Sequence, residues 1–565
     1  MKRLALLAAL ASATLSGAQP VSITVHADRV TGELRPIWNY FGYDEAGTTL
    51  TSEGRHLLGE LNALTEEPMR IRVHHLLTSG DGTLALKWSS TNVYTEDADG
   101  RAVYDWTTVD AIMDELTRPG IEPFVQASFM PQALSSRPEP YTPQLVKTGL
   151  PKDMVSGGAF YPPKDYQKWE ALIEAWARHC GERYGVERAS GWLWELWNEP
   201  ESPYWRGTPE EYFRLYDHFA AGVKRALPVA RVGGPHVTDP GWKQGDKFMT
   251  AFLEHCRSGR NAATGQIGAP LDFVAFHAKG TTRLDEQGRV EMNLRNHLKT
   301  IDTYGRIIAS FPEFARLPIY IGESDPEGCA GCPATLDPER DYRRTSQFAA
   351  YTAASFMRKQ DLLERTGGNL QGAVSWAFTF ADQPWFNGLR ALTTNEVALP
   401  VFNTFKLFAR LAPHRVAVEA PSMIPVDAIM TESVRHEPDV GAVASAGNDR
   451  VTVLLWNYHD VAGGYEDQRQ VNLRLKGLPV SADGATVREY TIDENSGNAY
   501  TAWLTMGSPQ SPTAAQIAAL HAAAEMKAVT GDLVVDANGT TGIQVTLPRQ
   551  SVKLIEVALP SSATP

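Results

Sequence analysis

Two glutamates at the ends of apolar runs are the residues in this chain best suited to do chemistry. Glu199 closes the run GWLWELWNEPE of residues 191–201, and Glu323 closes LPIYIGE of residues 317–323. Cleaving a glycosidic bond takes two carboxyl groups on either side of it, one to protonate the leaving oxygen and one to attack or to activate water. Glutamates placed where strands end would supply such a pair. Pro200 stops the first run, because proline cannot donate to a sheet ladder and holds the residue before it in extended geometry. Other polar residues break apolar runs in the same way. His277 and Lys279 share one parity in FVAFHAK, and His74 follows Arg72 on one face of MRIRVHH. A lysine is almost never buried without an anionic partner, so Lys279 points to an anion nearby.

The elements that must position these residues alternate between short apolar stretches and amphipathic ones from about residue 38 to 410, the pattern of parallel strands with helical crossovers. Eight strands are expected: 38–44, 69–76, 122–129, 192–199, 231–236, 273–279, 319–323 and 373–380. Helices are expected over 164–184, where Trp169, Leu172, Ile173 and Trp176 recur at helical spacing, and over 209–226, behind the capping Thr208. Eight such units specify a (β/α)8 TIM barrel over residues 31–410, whose catalytic groups belong at the C-terminal ends of the strands. Ile319, Ile321, Glu323 and Asp325 share a parity, so the isoleucines are expected to fill barrel layers beneath Glu323. The long loop 129–163, rich in proline and serine, is expected to wall the pocket. Beyond 411 the pattern becomes period two, as in 451–456, 470–475, 487–492 and 543–557, which predicts an antiparallel β-sandwich domain over 411–560. A helix over 513–526 interrupts it. The strand-like 21–26, within an N-terminal segment 19–30, is expected to join that sandwich, and 561–565 form a tail.

Residues 1–18 pair Lys2 and Arg3 with the apolar run Leu4–Leu15 and end in small residues, the layout of a secretory signal peptide cleaved after Ala18. An exported protein is expected. Removing those two cations takes the formal charge from -13 to -15, which disfavours nucleic acid and anionic membrane surfaces as partners. The leader is too short to span a bilayer, and no later stretch is long enough to insert. With 43% hydrophobic and 21% charged residues the chain is a folded globular one. Four cysteines are too few for a disulfide framework. Cys329 and Cys332 lack a second pair for zinc, so a local disulfide is preferred, with at least one of Cys180 and Cys256 free and buried.

The motifs WNYFGYDE from Trp38, RVHHLLTSGDG, WNEPE, FHAKG, GESDP and YTIDENSGNAY at Tyr490, taken in order, resemble glycoside hydrolase family 39 within the retaining Asn-Glu-Pro barrel superfamily. That family contains β-xylosidases and α-L-iduronidases. The resemblance implies that Glu199 is the general acid/base, Glu323 the nucleophile, and Asn198 the donor to the sugar 2-hydroxyl. It also implies that His74 binds sugar hydroxyls and that Trp376 is the platform under the ring. Retention requires the two carboxyls to lie about 5–5.5 Å apart. His277 and Lys279 at the end of the sixth strand face the same cavity. His-x-Lys-Gly resembles the iduronidase pattern, in which the lysine grips a uronate carboxylate, and Arg390 after the eighth strand could complete such a clamp. Lys279 could instead pair with Glu323 or Asp325.

The expected function is a retaining exo-glycosidase acting on an oligosaccharide or polysaccharide, with β-D-xylose as the first-choice terminal sugar and a uronic acid as the alternative. No metal or organic cofactor is required. A non-catalytic carbohydrate-binding barrel is the reading from another class, and the presence of both glutamates argues against it.

Overall fold

The computed structural model describes residues 20–82, 89–139, 141, 157–241, 243–479, 482 and 484–559. The expected leader segment 1–18, much of the loop 129–163 and the tail 561–565 fall outside them. Eight parallel strands form the first domain: Tyr40–Tyr43, Met69–Val73, Ile121–Ala127, Leu193–Leu196, Arg231–Val237, Phe273–Lys279, Pro318–Asp325 and Asn369–Ala373. They pair in sequence order. The ring closes between the first strand and the chain just past the eighth, through a parallel bridge of Phe41 with Ser375 and the bond from Gly42 N to Ser375 O at 3.0 Å. Alternation with helices leaves both faces of each strand covered, which is why these strands read as apolar runs. The helix Tyr166–Tyr184 starts at Asp165, whose carboxylate accepts from the amides of Gln167 and Lys168. The helix Pro209–Ala226 starts in a capping box between Thr208 and Glu211. Its buried face packs on the helix Tyr166–Tyr184, with Gly222 against Glu170 and Ile173.

Two expectations for the strands change. The eighth strand ends at Ala373, where it had been expected to begin, because half-buried Asn369 and Gln371 open it and obscure its pattern. In the seventh strand the isoleucines do not fill the barrel. Tyr320 pairs with Ala275 and Ile321 with Phe276, and then a bulge at Gly322 brings Glu323 opposite His277 and Asp325 opposite Lys279. Tyr320 therefore joins Phe124 and Phe273 in the interior, while Ile319 and Ile321 pack with Phe276 on the helix side. A bulge adds one residue and resets parity. Gly322 is required there, because a Cβ would stand 2.1 Å from His236 Nδ1.

The second domain is one nine-stranded sheet wrapped around an interior of Ile23, Val25, Val453, Leu473, Val545 and Ile555. The strand Val21–Glu33 enters it as expected, antiparallel to His414–Glu419 but parallel to Gln468–Lys476. The domain is therefore mixed rather than purely antiparallel. The stretch 543–557 is two strands, Thr541–Pro548 and Ser551–Ala558. The expected helix is Ala514–Ala524, capped by Thr513. Cys329 and Cys332 are bridged, and Cys180 and Cys256 are both free and buried. Among the described residues no helix is long and apolar enough to cross a membrane.

Candidate active site

The fourth strand stops at Leu196, and the next residues turn sharply into the barrel mouth. Trp197 and Glu199 both adopt positive φ, +65° and +48°, conformations that non-glycine residues take only where the surroundings hold them. Three contacts hold them here. Trp197 N donates to Ala127 O at 3.2 Å, its indole donates to Tyr204 O at 2.8 Å, and Glu199 N donates to His236 O at 3.2 Å. Glu199 Oε1 lies 3.1 Å from His277 Nδ1, and its side chain keeps 16% of its surface exposed. Glu201, two residues on, accepts from Thr238 N at 2.6 Å. Burial and the neighbouring charge of Glu199 push its carboxyl up to about 7.

Glu323 sits among cations. Lys279 Nζ donates to its Oε2 at 2.7 Å, Arg72 Nη1 to its Oε1 at 3.3 Å, and His74 Nε2 stands 3.6 Å from the same oxygen. Burial opposes ionisation, but Lys279 and Arg72, with His74 beside them, outweigh it and hold Glu323 well below the ordinary carboxylate range. Burial pushes His277 down to about 3 against the pull of Glu323, so its imidazole is neutral at working pH. An oxygen of Glu199, a ring nitrogen of His277 and an oxygen of Glu323 lie within 4.8 Å of one another. Such spacing can also suit a divalent ion, but the ammonium and guanidinium on Glu323 already neutralise it. The set is chemically two carboxyl groups and an imidazole facing one gap, with Glu323 held ionised.

Beneath the pair lies a layer that sequence reading largely missed. Arg72, wholly buried, donates to Glu195 Oε1 at 2.6 Å and to Asn198 Oδ1 at 3.1 Å as well as to Glu323. Its bond to Asn198 fixes the amide so that the nitrogen is left as a donor. Gln126 donates to Glu195 at 2.7 Å and accepts from His74 Nδ1 at 2.6 Å, and His236 also contacts Glu195. The available signal was a charge inside an apolar strand: Arg72 in MRIRV and Glu195 in LWEL must be paired to be buried.

The structure brings Glu199, Asn198, Glu323, His74, His277 and Lys279 to one mouth. Trp376 lies below them, 2% exposed, with its ring 4.5 Å from that of His74 and the Arg72 guanidinium 5.0 Å above it. Arg390 is the exception. It is fully buried, it donates to Trp376 O at 3.0 Å and Glu327 Oε1 at 2.8 Å, and it stands 3.5 Å from Asp325. Two acids thus take it as a cross-link behind the site, away from a substrate. Lys279 takes both of the partners foreseen for it, since Nζ also donates to Asp325 at 2.6 Å.

Comparison with known proteins places this geometry. The profile of "Glycosyl hydrolases family 39" matches residues 21–540. A β-xylosidase from Caldicellulosiruptor saccharolyticus is 27% identical over 439 residues, 76% of this chain and 78% of that protein. The human α-L-iduronidase is 25% identical over 580 residues, 92% of this chain and 77% of that protein. Among solved structures, a family 39 enzyme from Xanthomonas axonopodis pv. citri superposes with a TM-score of 0.73 at 22% identity, covering 97% of this chain and 99% of that one, which shows the shared fold. With a profile match over most of its length, a barrel of this fold and a carboxyl pair at its mouth, the chain belongs to glycosyl hydrolase family 39 and is a glycosidase.

Proposed function

We propose that this protein is an exported, retaining exo-glycosidase that removes a terminal non-reducing sugar, β-D-xylose first, by double displacement. The observation that carries retention is the closeness of Glu199 and Glu323, whose facing oxygens lie within 4.8 Å. That spacing suits direct attack by one carboxylate, whereas an inverting pair stands about 6.5–9.5 Å apart to admit a water. Glu323, kept ionised by Lys279 and Arg72, attacks the anomeric carbon while Glu199 protonates the departing oxygen. Glu199 then takes a proton from the water that releases the sugar. The neutral His277 serves either state of Glu199, donating to its carboxylate or accepting from its carboxylic acid. Asn198, oriented by Arg72, donates to the 2-hydroxyl. Export rests on the leader pattern of residues 1–18.

A uronic acid is the second reading, favoured by one observation: Lys279 reaches the mouth, and Nζ has a third proton beyond those given to Glu323 and Asp325. Arg390, buried on Asp325 and Glu327, does not assist it. A panel of aryl glycosides decides the sugar: β-xyloside, β-glucuronide, α-iduronide, α-arabinofuranoside and β-galactoside. Xyloside turnover at least tenfold above the others is expected, and a preferred uronide would reverse the order of the two readings. Glu323→Gln is expected to abolish turnover on the accepted substrate while binding persists. Near-parental rates in that variant refute the two-glutamate mechanism. If the uronide is the substrate, Lys279→Ala lowers its kcat/KM far more than that of the matching neutral glycoside, and equal losses remove the carboxylate contact.

A further inference from the structure

The loop that follows Glu323 is closed by the Cys329–Cys332 disulfide, and both cysteines are partly exposed. A buried run of alternating charge joins this loop to the site. Lys279 lies between Glu323 and Asp325, at 2.7 and 2.6 Å. Arg390 lies between Asp325 and Glu327, at 3.5 and 2.8 Å. Glu327 in turn accepts from Arg343 at 2.5 Å and Arg340 at 2.7 Å. The far end of the run is seated on the disulfide loop itself. Arg343 donates to the carbonyls of Cys329 at 2.5 Å, Cys332 at 2.6 Å and Ala330 at 3.3 Å. Cys329 N donates to Glu327 at 2.8 Å and Arg390 N to Ala330 O at 3.0 Å.

We propose that the disulfide-closed loop positions the carboxylate of Glu323 through this run of ions, which makes Glu327, Arg343 and Arg390 positioning residues and makes activity sensitive to thiol reductants. The inference rests on the reading of Glu323 as nucleophile. Its physical basis is that a buried ion shared by two opposite charges moves toward one when the other is weakened, because neither can be left unpaired in a low dielectric. The effect therefore changes sign at every step. Dithiothreitol supplies two electrons and two protons, breaks the S–S bond to two thiols and closes to its own cyclic disulfide. The carbonyl seat then spreads and Arg343 loosens. Glu327 draws Arg390, Asp325 draws Lys279, and Glu323 loses part of its ammonium. Arg343→Gln acts in the same sense. Glu327→Gln acts in the opposite sense, since Arg390 turns to Asp325 and releases Lys279 to Glu323. The other charged or titratable groups facing Glu323 stay in place: Arg72 on the second strand and His74 just past its end, Glu199 after the fourth, and His277 on the sixth, with Asp44 3.6 Å from His74.

The test is the pH profile of kcat/KM on the accepted aryl glycoside for the oxidised protein, the reduced protein, Arg343→Gln and Glu327→Gln, with opening of the disulfide verified by thiol alkylation and mass. The acid limb is expected to move up by about half a unit to one unit on reduction and in Arg343→Gln, and down in Glu327→Gln. Reoxidation is expected to restore the limb, and Glu327→Asp to keep it near the parent. Shifts of one sign throughout, or none, overturn the proposal, because a merely structural loop does not alternate. If either variant fails to fold, the reduced and reoxidised parent decides: a reversible upward shift supports the proposal and an unmoved profile overturns it. Labelling with a 2-deoxy-2-fluoroglycoside separates the two layers of inference. A label on another residue removes the assignment of Glu323, whereas a label on Glu323 with an unmoved profile removes only the role of the loop.

Discussion

Glu199 and Glu323 differ chiefly in what surrounds them. Glu323 is enclosed by Lys279, Arg72, His74 and His277, while Glu199 meets a neutral imidazole, partial solvent exposure and the nearby acid Glu201. Two identical side chains thereby sit in contrasting electrostatic surroundings, and the proposed division of roles between them rests on that contrast. Glu199→Gln carries a specific expectation. Hydrolysis of glycosides with poor leaving groups should fall by roughly 10²–10⁴-fold, the usual contribution of a general acid. Formation of the glycosyl-enzyme from a dinitrophenyl glycoside, which needs no proton, should fall much less. Pre-steady-state rates across a leaving-group series check this, and a uniform loss assigns the proton transfer elsewhere. Arg72 shows how one buried residue can tie several strands together: its guanidinium reaches Glu195, Asn198 and Glu323, and so links the second, fourth and seventh strands beneath the carboxyl pair.

At the scale of the element, the seventh strand is the instructive one. Regular alternation points Glu323 into the mouth only if Ile319 and Ile321 point there too, and the structure sends them to the opposite face. The bulge at Gly322 lets Tyr320 fill the interior and Glu323 crown it. Gly322→Ala tests the point. Its Cβ would meet His236, which contacts Glu195 and so has little room to move. A stability loss of about 1–3 kcal/mol is expected from overpacking, together with a drop in kcat as the bulge relaxes. Thermal melting and steady-state kinetics measure both, and a variant with parental kcat shows that the bulge does not aim Glu323. The fourth strand behaves similarly at its tip, where the ladder ends three residues before Glu199 and a turn held by Trp197 completes the aim.

At the scale of the whole molecule, the barrel and the second domain meet where buried polar groups are shared. Asp460 O accepts from Met292 N at 2.8 Å and from Gln347 Nε2 at 2.8 Å, and its carboxylate accepts from the Tyr458 hydroxyl at 2.7 Å. Burial pushes that carboxyl up to about 6. A raised carboxyl binds its proton more tightly in the folded state, so its share of stability is present below the unfolded value near 4 and is lost as pH rises to about 6. That share is on the order of 1–3 kcal/mol. Asp460→Asn should therefore lose less melting temperature between pH 4.5 and pH 7 than the parent, and parallel curves exclude Asp460 as the source. The sequence by itself determined the alternation of strands and helices, the second domain with its N-terminal strand, the disulfide and the two glutamates that meet at the barrel mouth, though not the bounds of the eighth strand, because apolar periodicity and strand-end carboxylates are local features that a chain writes in order. Only the tertiary structure decided the bulge at Gly322, the layer of Arg72 and Glu195, and the burial of Arg390 on Asp325 and Glu327. Those depend on which strands stand side by side, a register that no single stretch of sequence contains. The same holds for the opening motif. WNEPE announced a carboxylate at a strand end, but the positive φ of Glu199 and the neutral His277 opposite it come from neighbours nearly forty residues or more away in the chain.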